Sequence, residues 1–282
     1  MRAPNWVVAQ SAVEALVECG SKRAGPYIAD RLLNVELSGM LLDPRFRHQV
    51  EVLARALVTL EHHKPLEELR KATERQTDPV LVASLNSYIS QLEVLKQNGD
   101  DLQLWIESAR SPEPAIRSLA YPRVARFRDS AGDRALVQAF GRVDEEEGLE
   151  ILEAFGPSGT EAAQELIERV LIGEEFDSPT RSRLRAMAAW NARQIGGDRM
   201  ARALRQAVER RDGRDAIVTV YLGVLEGKSA LPVLETYRVQ RMRYLMWSRG
   251  EELEGLDWLT RRIEAGRPLY PFDMPPDQIS LR

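Results

Sequence analysis

The sequence predicts an all-α fold, a solenoid of about seven helical hairpins followed by one further helix, and three observations predict it. A proline behind a small polar residue recurs at a nearly constant interval, at Asp43-Pro44, Asp78-Pro79, Ser111-Pro112 and Ser178-Pro179. The steps are 35, 33 and 67 residues, the last being about two intervals, and a period of this size marks stacked supersecondary units. Between the beats, apolar residues return every three or four positions, the helical period. No stretch shows the alternating, β-branched pattern of a half-buried strand.

Each beat reads as a helix start. Proline at the first helical position loses no hydrogen bond, because the missing amide would be an orphan there. The Asp or Ser before it can accept from an amide of the first turn. Asp144-Glu-Glu-Glu147 opens a helix at a beat without proline, and a further beat falls at Asp212.

In chain order the predicted pairs begin with Trp6 to Cys19 and Lys22 to Leu33, then Arg45 to Leu60 and Pro65 to Thr73. Pro79 to Gln97 follows, where Val80, Leu81, Leu85, Ile89, Leu92 and Leu95 form one stripe, and Asn98-Gly99-Asp100 ends it before Asp101 to Ala109. Next come Glu113 to Phe127 with Asp133 to Phe140, and Glu145 to Phe155 with Glu161 to Ile172. Thr180 to Ile195 pairs with Asp198 to Arg210, and Arg214 to Leu225 with Ser229 to Met242, before a last helix from Glu251 to Ala265.

The turns inside these pairs carry a resemblance. Gly20-Ser-Lys-Arg-Ala-Gly-Pro26, Gly132-Asp-Arg-Ala-Leu136, Gly197-Asp-Arg-Met200 and Gly227-Lys-Ser-Ala-Leu-Pro232 resemble the turn and second-helix opening of HEAT repeats, including the short HEAT-like repeats of phycobilin lyases. Ser111-Pro-Glu-Pro-Ala-Ile-Arg117 followed by Gly132-Asp-Arg-Ala-Leu136 is the fullest match. The resemblance covers most of residues 1 to 242 and implies a fold, not an activity. Tetratricopeptide repeats share the period, but their first-helix and terminal-proline signatures are missing.

Composition agrees with a thin, continuous core. At 282 residues a single globule would be near its upper size, whereas a repeat array adds units. Cys19, the lone cysteine, excludes a disulfide framework and reads as a small buried hydrophobe on the apolar side of its helix. No signal peptide and no apolar run of about 18 residues is visible, which leaves a cytoplasmic location as the default expectation. Asn5-Trp6 begins inside a repeat without a polar capping unit. The expectation is a fragment of a longer chain, or a first helix covered by further repeats or a partner. Residues 266–282 hold Pro268, Pro271, Pro275 and Pro276 and read as an extended tail, either packed across the last helices as a cap or offered to an aromatic groove on another protein.

Charge distribution carries the functional reading. Residues 144–177 contain twelve acids against Arg169, a net charge of −11, and residues 178–249 carry a net charge of +9. Either the neighbouring units neutralise each other along a seam, with Glu161, Glu165 and Glu168 as the acids, or the arginines form a binding stripe. The stripe consists of Arg199, Arg202, Arg205, Arg238, Arg241 and Arg243, with Trp247 as an exposed anchor. Arg199, Arg202 and Arg205, three apart, share one helical side. HEAT second helices usually line the concave surface, so the resemblance implies a groove for an acidic or extended protein segment, or for nucleic acid.

Catalysis finds little support. His62 and His63 point about 100° apart on a helix and read as a cap at its C-terminal end rather than as metal ligands. Neither a phosphate-binding loop nor a cysteine–histidine ligand spacing is present, so no cofactor and no metal are expected. The HEAT-like build also implies two alternatives by analogy. One is a DNA glycosylase using Trp190 or Trp247 with Asp198 or Asp215, and the other a chromophore-lyase-like chaperone. A non-enzymatic interaction module is the leading expectation.

Overall fold

The computed structural model describes residues 6–37, 44–156, 159–176, 182–210, 216–236 and 251–266. Among them every regular element is helical and no strand occurs. The chain divides into two compact units, Met1–Leu119 and Ala120–Arg282, with the boundary inside one helix.

In the first unit, α1 (Trp6–Glu18) is followed by a 3-10 turn (Lys22–Ala24), α2 (Gly25–Asp30) and a π-helical turn (Arg31–Glu36). Then come α3 (Pro44–Thr59), α4 (Leu66–Glu74), α5 (Pro79–Asn98) and α6 (Leu102–Ser108). Asp78 accepts from the amides of Val80 and Leu81 while Pro79 takes the first helical position, as the sequence predicts. Asp101 caps α6 in the same way through Gln103 and Leu104. α5 buries Leu81, Leu85, Ile89, Leu92 and Leu95, the stripe read from the sequence, and packs on α3 and α4. Trp105 of α6 is buried, and its indole N–H donates to the Gly99 carbonyl at 2.9 Å.

α3 ends in a Schellman-type turn. The His62 amide returns to the Leu57 carbonyl and the Glu61 amide to that of Val58, with Glu61 at φ 55°. Lys22 reaches Glu61 at 2.8 Å and ties the second hairpin helix to this turn. The approach there is close: a Cβ on Gly25 would lie 2.5 Å from the His62 ring, so only glycine fits.

α7 (Pro114–Arg126) contains the boundary between the units and starts at Pro114, one residue after the predicted Glu113. The Ser111 hydroxyl accepts from the Glu113 amide just ahead of it. In the second unit α8 (Ser130–Phe140), α9 (Glu145–Phe155), α10 (Glu161–Ile172), α11 (Ser182–Ile195), α12 (Gly197–Arg210) and α13 (Ala216–Glu226) follow. A 3-10 turn (Gly227–Ala230), a helical stretch at 231–236 and α14 (Glu251–Glu264) complete it. α8 begins earlier than predicted. Asp129 caps it through the Ala131 amide, so Gly132 and Asp133 lie buried inside its first turn instead of opening it. Gly196 and Gly197, at φ 71° and 80°, make the tight turn into α12.

The principal contacts of the second unit are ordered. α9 packs on α11 and α11 on α13, while α8 packs on α10 and α10 on α12. First helices thus meet first helices and second meet second, with α10–α11 and α12–α13 contacts closing the gaps. In the first unit α1 packs on α3 and α3 on α5 by the same rule.

Two sequence expectations need correction. Cys19 is exposed, because the side of α1 that carries it faces away from α3. One run, Ile217–Thr236, is long and apolar enough to cross a membrane by length and composition; Glu226 and Lys228 interrupt it without lowering its average far enough. Val218, Tyr221, Leu222 and Leu234 in that run are buried within the unit, as befits a core helix. The tail at 267–282 lies outside the described residues.

Candidate functional site

α12 positions the first three arginines of the predicted stripe. Met200, Ala203, Leu204, Ala207 and Val208 bury its apolar side against α10, α11 and α13, which leaves Arg199, Arg202 and Arg205 on the flanks. Arg199 reaches back one unit to Glu168 of α10, at 2.9 and 3.0 Å. Arg205 pairs forward with Glu226 at the end of α13. Arg210 donates to the Ile172 carbonyl at 2.6 Å and pairs with Glu174 beyond α10. Arg202 is exposed between these pairs.

The seam and the stripe are therefore both represented on one helix. Among the described residues, Glu168 is the one acid of the three named from sequence that meets an arginine of the stripe; Glu161 and Glu165 stay exposed. Sequence reasoning missed Glu226, Glu174 and Arg210. The available signal was their position at helix ends, where one unit's chain meets the next. Each pair is partly exposed, so each contributes on the order of 0–1 kcal/mol. Arg238, Arg241, Arg243 and Trp247 lie outside the described residues.

Trp190 is half-buried and engaged in packing. Its ring centroid is 5.8 Å from that of Tyr221, and the Arg193 guanidinium lies 5.4 Å over its face. Asp198, in the first turn of α12, is exposed, while Asp215 lies outside the described residues. Tyr221 is wholly buried.

Several buried polar groups hold neighbouring helices in place. The Tyr121 hydroxyl of α7 donates to the buried Glu147 of α9 at 2.9 Å. Asn191 of α11 donates to the Leu152 carbonyl of α9 at 2.6 Å, 39 residues away. Arg185 of α11 is buried and donates to the Phe176 carbonyl. Asp133 is wholly buried, and neither carboxylate oxygen has a donor in hydrogen-bond geometry among the described residues. Burial pushes its carboxyl above the usual range; the nearby Thr160 hydroxyl opposes this and the Asp129 charge adds to it.

His62 behaves differently from a charged cap. Burial, then the Lys64 and His63 charges, hold His62 below the usual imidazole value, so its ring packs against Gly25 as a neutral group. Among the described residues no three His, Cys, Asp or Glu side chains converge on a metal-sized space. In sequence, the chain matches no protein-family model and no curated protein. The class that the fold defines is an all-helical protein in which, among the described residues of each unit, helices pack on near neighbours in sequence.

Proposed function

We propose that the chain is a HEAT-like α-solenoid of about seven hairpins and serves as a non-enzymatic scaffold for an acidic, extended protein segment. What supports the stacking is the spacing of its cross-links: Glu51–Ser84, Leu152–Asn191, Glu168–Arg199 and Glu174–Arg210 join residues 33, 39, 31 and 36 apart, each near one period. The observation that carries the binding reading is Arg202. Its neighbours on either side are committed to Glu168 and Glu226, whereas its own guanidinium stands exposed with no ion pair among the described residues.

The sequence offers Arg238, Arg241, Arg243 and Trp247, which lie outside the described residues, as the further basic and aromatic members of the stripe. Such a surface steers and orients an acidic peptide at long range, with an attraction that salt screens. Protein binding is favoured over the glycosylase alternative because Trp190, its described aromatic candidate, is occupied by Tyr221 and Arg193.

The test uses fluorescence anisotropy of the full chain with a labelled oligo-glutamate peptide and, separately, a labelled short DNA duplex. The peptide is expected to bind, more weakly as salt rises, and Arg202→Glu with Arg241→Glu is expected to weaken it by about tenfold or more. Peptide binding indifferent to those substitutions contradicts the stripe. Tighter, steeply salt-dependent binding of the duplex favours the nucleic-acid alternative.

A further inference from the structure

We infer that the chain associates with a second copy of itself through the α1–α2 hairpin, a surface distinct from the arginine stripe. α1 has two apolar sides. At about 100° per residue, Val13 and Val17 lie toward α3, while Val8, Ala12, Ala15, Leu16 and Cys19 fall together on another side. That second side is exposed throughout, with Val8 at 65% and Leu16 at 40%. A groove of about 430 Å³ separates it from α2, where Tyr27 is 79% exposed. No other large apolar side chain among the described residues is as open to solvent as Tyr27.

Charge selects the occupant. The outer edge of α1 carries Glu14 and Glu18, and the outer edge of the groove carries Arg23 at the approach to α2, beside the C-terminal end of α1. Neither Glu18 nor Arg23 makes an ion pair among the described residues, whereas Lys22 is already held by Glu61. A two-fold axis lying over the groove and parallel to the helices places α1 of each copy on α2 of the other. It preserves position along the helix. Arg23 then meets Glu14 and Glu18 of the second copy, and Tyr27 settles on the small side chains Ala12 and Ala15 of that copy. Both contacts form twice, as an isologous interface requires.

Size sets the strength. α1 is roughly 20 Å long at 1.5 Å per residue, and two helices about 10 Å apart present a face of about 400 Å². That is near half of the roughly 800 Å² per partner in a standard interface. The dimer is accordingly weak and in exchange with monomer.

Sedimentation equilibrium of the full chain over a concentration series tests this, with circular dichroism to verify the fold of each variant. The mass is expected to climb from one chain toward two, and Tyr27→Asp to hold it at one. Arg23→Glu and Glu18→Arg are each expected to weaken association by about tenfold, and the two together to restore it. A single-chain mass throughout, growth beyond two chains, a dimer indifferent to Tyr27→Asp, or a double variant weaker than either single one overturns the proposal.

Discussion

Asp133 illustrates how a residue that the sequence places at the opening of a helix can instead be drawn into the interior. Its Gly-Asp setting resembles a turn, but Asp129 supplies a cap four residues earlier, and the helix starts just after that cap. Asp133 is then drawn into the interior, where burial favours its neutral form. The folded protein therefore keeps this proton at pH values where the unfolded chain, with a carboxyl near its ordinary value, has released it. The stabilisation from protonation is complete below that unfolded value and is lost as pH rises through the folded one. Urea unfolding of Asp133→Asn beside the parent chain is expected to show the variant gaining relative stability from about pH 4 upward. A difference constant with pH contradicts this assignment. Cys19 and His62 were misjudged for a related reason. Helical period shows which residues share a side, but not whether a neighbour covers that side or whether a ring beside it will be buried.

At the scale of elements the chain was largely legible, because caps and apolar spacing are local. Asp78, Asp101, Asp144 and Thr160 all accept from first-turn amides at the starts of their helices. The ends of α9 and α10 coincide with the periodic runs read from sequence. Less legible were the π-helical turn after α2 and the ion-pair partners of α12, which depend on tertiary contact. The two kinds of polar interaction differ in magnitude. Asp101→Ala removes acceptors for two amides and is expected to cost about 1 kcal/mol. Arg199→Ala removes a pair that is about one-third exposed on both sides and is expected to cost less than about 1 kcal/mol. Urea melts of both variants check the order, and an Arg199→Ala loss well above that of Asp101→Ala contradicts it.

At the scale of the molecule, the all-helical class followed from periodicity and from the lack of alternating segments, and it is what the described residues form. The candidate site was legible only as a charge imbalance. Composition located excess arginine around α12, yet the division between Arg202 and the paired Arg199 and Arg205 depends on which helix ends meet. The central claim is that helices of the second unit pack on their near neighbours in sequence and are coupled chiefly through them. Hydrogen exchange of the full chain carrying Leu259→Ala tests it most directly, because Leu259 is wholly buried in α14, which packs on α13. In a neighbour-coupled stack, exchange rises most in α14 and α13 and fades toward α9 and α8. Equal acceleration in every helix from α8 to α14 contradicts the stack and describes a single cooperative globule.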